Sequence, residues 1–204
     1  MKTILPGTTI EIDSEKFYDV DSLFTPLFLA GGLMMSQVSQ ITGLEGYVIQ
    51  NWVKRGFLTS PVEKKYSRNQ LCRIIIINML KDSMQLDKIV HLLTYMNGIL
   101  DLDEDDNISD SDLYGYFCRI LGEYQVSDHT LDEIIPHHIE TYKEIVPGMR
   151  KKLHRTLKIM ELAYHSSQLQ KQAYSELAKL DDYKPETNKG GIINDKLVEQ
   201  PIRS

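Results

Sequence analysis

Apolar residues recur every three or four positions along most of the chain, which is the spacing of helices that bury one face. The pattern predicts a helix beginning near Ser36, a second over roughly 46–54, and a central helix after Ser67. Four consecutive isoleucines at 74–77 make the central helix apolar on nearly every side, and they are also compatible with a strand. Because Ser67 is followed by Gln70 at the capping-box spacing, the helix is the favoured interpretation.

Further helical patterns follow the central helix, and they predict a mostly α-helical protein. A second amphipathic pattern ends at Asn97-Gly98, and a short one ends at Gly122. Another begins near Ser127, is interrupted at Pro136 and stops at Pro147-Gly148. A long helical pattern then covers 149–180.

The pattern divides the chain into five segments. The first is an N-terminal arm that packs on the domain, and the second is a winged helix-turn-helix with its following helices. They are followed by an acidic loop with helices, a long helix that is a possible dimer contact, and a mobile tail. The expected boundaries are 1–33, 34–100, 101–147, 148–180 and 181–204.

The predicted helix over 46–54 separates an apolar side from a polar side. The inward-facing positions are Ile49, Trp52 and Val53. The opposite face carries one aromatic ring, two amides and a cation, namely Tyr47, Gln50, Asn51 and Lys54. Since amides pair with adenine edges and lysine pairs with guanine or phosphate oxygens, this face is a candidate for reading DNA bases.

A short basic hairpin is predicted between the second helix and the central helix. The stretch 57–66 contains Pro61 and is too short for a helix. Arg68 occupies the first turn of the central helix, where a cation is disfavoured unless an anion such as phosphate lies close. The candidate phosphate contacts are Lys54, Arg55, Lys64, Lys65 and Arg68.

This region contains the motifs Ile41-Thr42-Gly43-Leu44, Ile49-Gln50-Asn51-Trp52, Lys54-Arg55-Gly56-Phe57-Leu58 and Lys65-Tyr66-Ser67. In this order they resemble the DNA-binding module of MerR-type regulators, and also a variant branch of small bacterial proteins known as a domain of unknown function. The resemblance implies that the helix bearing Gln50 and Asn51 enters the major groove, that the wing at Lys64 and Lys65 grips the backbone, and that a homodimer binds a two-fold site.

The sequence departs from that family at two kinds of position. Gln50 stands where most of those helices have arginine, and Val53 stands where they have glutamate. The cysteine set with which metal-sensing members bind their ion does not occur at the start of the last helix. The usual base and phosphate contacts therefore cannot be carried over at those two positions, and no metal site is expected at the last helix.

Charge is strongly segregated along the chain, whose net charge is −6. Residues 34–81 carry a net +5, residues 82–147 a net −12 and residues 148–180 a net +5. Charges more than a Debye length of about 8 Å apart are largely screened, so a distant acidic block leaves a local basic patch able to attract phosphate. Overall acidity therefore does not exclude DNA binding.

Two cysteines, Cys72 and Cys118, are far apart among apolar neighbours and are expected to be reduced core thiols of a cytoplasmic protein. The amino end lacks the apolar stretch of a secretory signal. The run from Leu23 to Met35 is too short to span a membrane.

The sequence supports a metal site or an effector site less strongly than it supports a DNA-binding surface. Asp101, Asp103 and Asp105 alternate as in an EF-hand loop, but Asp106 and Asp112 stand where that loop needs glycine and glutamate. The histidines at 129, 137 and 138 could bind zinc or sense pH, although surface histidines are the simpler reading. No metal or cofactor is therefore expected, and a small effector between 111 and 180 stays open.

These observations lead to one expected function and one alternative. Because no phosphate loop, nucleophile elbow or H-E-x-x-H motif occurs, an enzyme is not expected. We expect a bacterial, cytoplasmic transcription regulator that binds double-stranded DNA sequence-specifically as a homodimer. The alternative is a protein-interaction module whose acidic helical region binds a basic partner.

Overall fold

The computed structural model describes residues 2–97 and 108–181, and it is mostly helical with two small antiparallel sheets. The strands are β1 (Lys2–Ile4), β2 (Glu11–Asp13), β3 (Leu33–Met34) and β4 (Lys65–Tyr66), which pair as β1 with β2 and β3 with β4. The helices are α1 (Val20–Phe24), α2 (Met35–Thr42), α3 (Gly46–Lys54), α4 (Arg68–Leu80), α5 (Leu86–Asn97), α6 (Asp110–Tyr124), α7 (Leu131–His138) and α8 (Met149–Asp181).

The chain divides into two compact units, Met1–Leu169 and Gln170–Ser204. Residues 101–107 of the expected acidic loop and the tail expected beyond 181 lie outside the described residues. Asp110 and Asp112, at the end of that expected loop, lie in the first turn of α6 instead. Within 2–97 and 108–181, no helix is both long enough and apolar enough to cross a membrane.

Helix α4 is the centre of the first unit, as its apolar pattern predicts. Every side chain from Leu71 to Ile77 is buried, so the isoleucine run forms a helix rather than a strand. The predicted capping box is present, because the Ser67 hydroxyl accepts from the Gln70 amide at 3.2 Å and Gln70 Oε1 accepts from the Ser67 amide at 2.9 Å. These bonds satisfy two groups that a helix start leaves without an intrahelical partner.

The N-terminal segment contributes buried side chains to the same core. Phe17 lies in a 3₁₀ turn between β2 and α1, and it is buried together with Phe24 of α1. The Tyr114 hydroxyl on α6 donates to the Pro6 carbonyl at 2.7 Å. Asn78 of α4 donates from Nδ2 to the Gly7 carbonyl at 2.9 Å. Buried and hydrogen-bonded in this way, the segment is part of the folded unit.

Two of the predicted helix ends are wrong. Gly122 does not end a helix, because α6 continues to Tyr124. A Cβ at Gly122 would lie 3.0 Å from the Phe17 Cβ, so this glycine permits close packing instead. The helix after Ser127 begins at Leu131, passes through Pro136 and ends at His138, well before Pro147. Pro136 lies inside this helix, which therefore lacks the one hydrogen bond that an amide at this position would donate.

Candidate nucleic-acid interface

Helix α3 buries one side and exposes the other, as its sequence predicts. Ile49 and Trp52 are buried, whereas Val53 is only half-buried. The four residues of the predicted reading face are all exposed, and Tyr47 retains 72% of its accessible surface. These four residues are Tyr47, Gln50, Asn51 and Lys54.

A three-residue connection sets α3 against α2. Gly43 ends α2 with a φ of +70°, a conformation that glycine adopts without steric cost. The next residue, Leu44, is buried, and the Glu45 carbonyl accepts from the Val48 amide at 2.9 Å. The anchored turn and the buried side of α3 together hold the polar side of α3 toward solvent.

The predicted basic hairpin is present between Pro61 and Tyr66. Val62 pairs with Lys65, and the two residues between them form a tight turn in which Glu63 has a φ of +49° and Lys64 a φ of +63°. Such turns favour Asn-Gly, because other side chains are strained at positive φ. The Lys64 side chain is exposed at the turn.

Helix α3, the hairpin and the β3–α2 junction enclose a groove of about 440 Å³. Its polar groups come from Gln50 and Lys54 on α3 and from Lys64 on the hairpin. Its apolar lining is Met34, Met35, Val53, Pro61 and Tyr66. The structure therefore brings together three candidate residues from two separate elements, beside an apolar surface that the sequence pattern does not single out.

Three other candidates make contacts within the protein. The Lys65 ammonium donates to the Ala30 carbonyl at 3.0 Å, and the Arg68 guanidinium pairs with Asp21. The Arg55 guanidinium lies 4.3 Å from the centroid of the Phe57 ring while remaining exposed. The anion expected beside Arg68 in the first turn of α4 is thus supplied by a carboxylate of the chain itself.

The ion pairs change how the charge of residues 34–81 is distributed. Arg68, Arg73 and Lys81 each pair with a carboxylate that lies outside this segment, namely Asp21, Asp110 and Asp82. Four basic residues of this segment keep their positive charge for an external anion. Lys54, Arg55 and Lys64 are exposed, whereas Lys65 is half-buried and bonded to a neutral carbonyl.

Several acidic side chains at the end of α6 and after it are engaged locally. Asp132 accepts from the Lys158 ammonium at 2.6 Å, and Glu133 accepts from the Thr130 amide at 2.8 Å. Glu123 lies 2.9 Å from His138 Nε2 and 3.9 Å from His129 Nδ1. The described residues form no group of three ligands suited to a metal ion. These pairings satisfy part of the acidic surface within the protein.

The comparisons with known proteins bear on residues 31–117, which match a family described as a domain of unknown function, DUF1836. No curated protein and no solved structure matches the chain. The assignment to MerR-type regulators is therefore wrong, because the family match is to a domain of unknown function instead. The residues that carried the resemblance include Ile49 and Trp52, which are buried, and Gly43, which forms a turn. Packing two helices around a turn calls for such residues whatever the function.

Proposed function

We propose that the chain is a bacterial, cytoplasmic transcription regulator that binds double-stranded DNA sequence-specifically as a homodimer. In this proposal α2, α3 and the hairpin act as a winged helix-turn-helix. The observation that carries the proposal is the groove in which Gln50, Lys54 and Lys64 meet. It supports the proposal without any family resemblance, because it depends only on which side chains α3 and the hairpin expose.

The dimensions of α3 suit the major groove of DNA. An α-helix with its side chains is about 10 to 12 Å across, and the major groove is about 12 Å wide, so α3, which is about 14 Å long, can lie in it. Gln50 and Asn51 would pair with base edges, while Lys54 and Lys64 would contact phosphates on either side. The burial of Trp52 and Ile49 keeps the polar side of α3 turned toward solvent, where DNA can reach it.

Selection of bound sequences from random duplex DNA tests the proposal. Purified protein should enrich a motif with two-fold symmetry, and its affinity should fall as salt rises because phosphate contacts release counterions. If no duplex is retained at low salt, the proposal is wrong, and the exposed acidic side chains after α6 become the place to seek a basic protein partner.

Two alanine variants separate base reading from phosphate contact. Asn51→Ala should cost on the order of 1 to 3 kcal/mol at one base position, whereas Lys64→Ala should weaken binding to all sequences and lower the salt slope by about one. Gln172→Ala, an exposed change in the second unit, is the matched control. Equal losses on every sequence for both variants would refute the reading role of Asn51.

The second half of α8 supports the homodimer. Leu169, Ala173, Leu177 and Leu180 follow one another at spacings of four, four and three residues, which places them on one helical face. The three leucines each keep more than half of their surface exposed. Burying such a stripe against a second copy would remove that apolar surface from water.

The mass of the protein in solution tests the dimer. Leu177→Lys should convert a dimer to a monomer in light scattering, whereas Gln172→Lys should leave the mass unchanged. A monomeric wild-type protein would contradict the dimer but would leave the DNA proposal standing.

A further inference from the structure

A second cavity, of about 160 Å³, lies in the first unit between α1, α6 and the segment after α7. Its lining includes Asp21 of α1, Asp112, Gly115, Tyr116 and Arg119 of α6, and Tyr142. At about 30 Å³ per water, the cavity has room for roughly five waters or one small organic molecule.

The charged groups of this cavity have opposite signs. Asp21 and Asp112 offer carboxylate oxygens that accept from an ammonium group. Arg119 offers a planar fork of donors that matches a carboxylate, and its guanidinium lies 4.7 Å from the centroid of the Tyr116 ring. Gly115 leaves the wall without a side chain, which keeps the space open.

We propose that this cavity binds a small zwitterionic ligand of the amino-acid class. The ammonium of the ligand pairs with Asp21 and Asp112, and its carboxylate pairs with Arg119. Both halves of the molecule contribute, because a ligand with one charge engages either the two carboxylates or the guanidinium of the cavity, but not both.

The cavity is connected to the DNA-binding surface through one ion pair. Asp21 is also the carboxylate that pairs with Arg68 in the first turn of α4. Arg68 directly follows Ser67, which caps α4, and β4 immediately precedes that cap. An ammonium beside Asp21 competes for this carboxylate and loosens its hold on Arg68. Once released, Arg68 can pair with a phosphate instead, and the ligand therefore raises the affinity for DNA. This step rests on the proposed DNA-binding function.

Ligand binding is measured first, on the full chain and without DNA. Calorimetry and thermal melting are run with glycine, L-alanine and L-serine, and with ethylamine and propionate as single-charge probes. The amino acids should bind and raise the melting temperature, while the single-charge probes should not. Binding by ethylamine as strong as that by alanine, or no binding by any probe, overturns the proposal.

Variants locate the site. Asp112→Asn and Arg119→Lys should each weaken amino-acid binding about tenfold or more, because each removes a charge-assisted contact. Gly115→Leu should abolish binding by filling the cavity. Asp128→Asn is an exposed control outside the cavity and should bind like the wild type. A Gly115→Leu protein that melts cooperatively and still binds the amino acid overturns the assignment.

The link to DNA is tested with the best-bound amino acid. Saturating ligand should raise DNA affinity several-fold, and Asp21→Asn should raise it without ligand and remove the response. Ligand binding without any DNA binding refutes the proposed function but keeps the site. DNA binding without any ligand binding refutes the site but keeps the function, and ligand binding that leaves DNA affinity unchanged refutes the link through Arg68.

Discussion

Arg73 on α4 and Asp110 on α6 form an ion pair of 3.0 Å in which both side chains are buried. Arg73 also donates from Nε to the Phe57 carbonyl at 2.9 Å. One guanidinium thus joins the central helix to the start of α6 and to the chain that leads into the hairpin.

Asp110→Ala should destabilise the protein by about 3 to 5 kcal/mol, because it leaves the Arg73 charge buried without its carboxylate. Urea unfolding measures the change. The double variant Arg73→Met, Asp110→Leu should lose less than the single variant, since it removes both charges. If Asp110→Ala lowered the free energy of unfolding by less than about 1 kcal/mol, the ion pair would not be needed for stability.

Two glycines of α6 should respond to alanine in opposite directions. Gly115→Ala should stabilise by about 0.5 to 1 kcal/mol, because the nearest atom to a new Cβ is the flexible end of Arg119 at 3.4 Å. Gly122→Ala should destabilise, because the new Cβ meets the Phe17 Cβ at 3.0 Å. Thermal unfolding of both variants checks the sign, and stabilisation by Gly122→Ala would contradict the close packing.

Glu161 should make the protein less stable as pH rises. Burial raises the pKa of this carboxyl to about 7. His165 opposes this rise, because its Nε2 atom lies 3.5 Å from Glu161 Oε2 and favours the charged carboxylate. The Cys118 thiol and the Tyr164 phenol also interact with this carboxyl. Because the folded state favours the protonated form, its contribution is present below the unfolded pKa and is lost as pH rises through about 7.

The free energy of unfolding should therefore fall by on the order of 2 to 3 kcal/mol between about pH 5 and 8 owing to this group. Glu161→Gln should remove that part of the slope and be the more stable protein at about pH 8. Glu140→Gln, at an exposed position, should leave the slope as it is. Parallel curves for Glu161→Gln and the wild type would refute this account.

The hairpin turn stores strain that substitution should release. Glu63→Asn with Lys64→Gly should stabilise by about 1 kcal/mol or more, because both positions have positive φ. Arg55→Gly, at a φ of −84°, offers no such relief and should not stabilise. Urea unfolding distinguishes these outcomes. Under the proposed function, the same double change should also weaken DNA binding, because it removes the Lys64 ammonium.

Local signals in the sequence predict the elements of this fold well. The Ser67–Gln70 box and the two sides of α3 are both present, because each depends only on residues within one or two helical turns. The exposure of the polar side of α3 could thus be predicted before any tertiary contact was known.

Contacts between distant parts of the chain could not be predicted in this way. Lys65 bonds to Ala30 and Arg68 pairs with Asp21, and these partners are separated by 35 and 47 positions. Gly122 has the sequence signature of a helix end, but Phe17 requires a close approach there. Such features depend on which surfaces meet in the folded chain. The spacing of apolar residues along the sequence contains no information about those contacts.

The bonds that Pro6 and Gly7 make with Tyr114 and Asn78 have a consequence for anyone dissecting this protein. A fragment cut to residues 31–117 would keep α4 but discard Phe17 and Phe24, leaving open gaps where those rings sit. We expect such a fragment to aggregate or melt at low temperature, so laboratory expression should begin at the first residues of the chain.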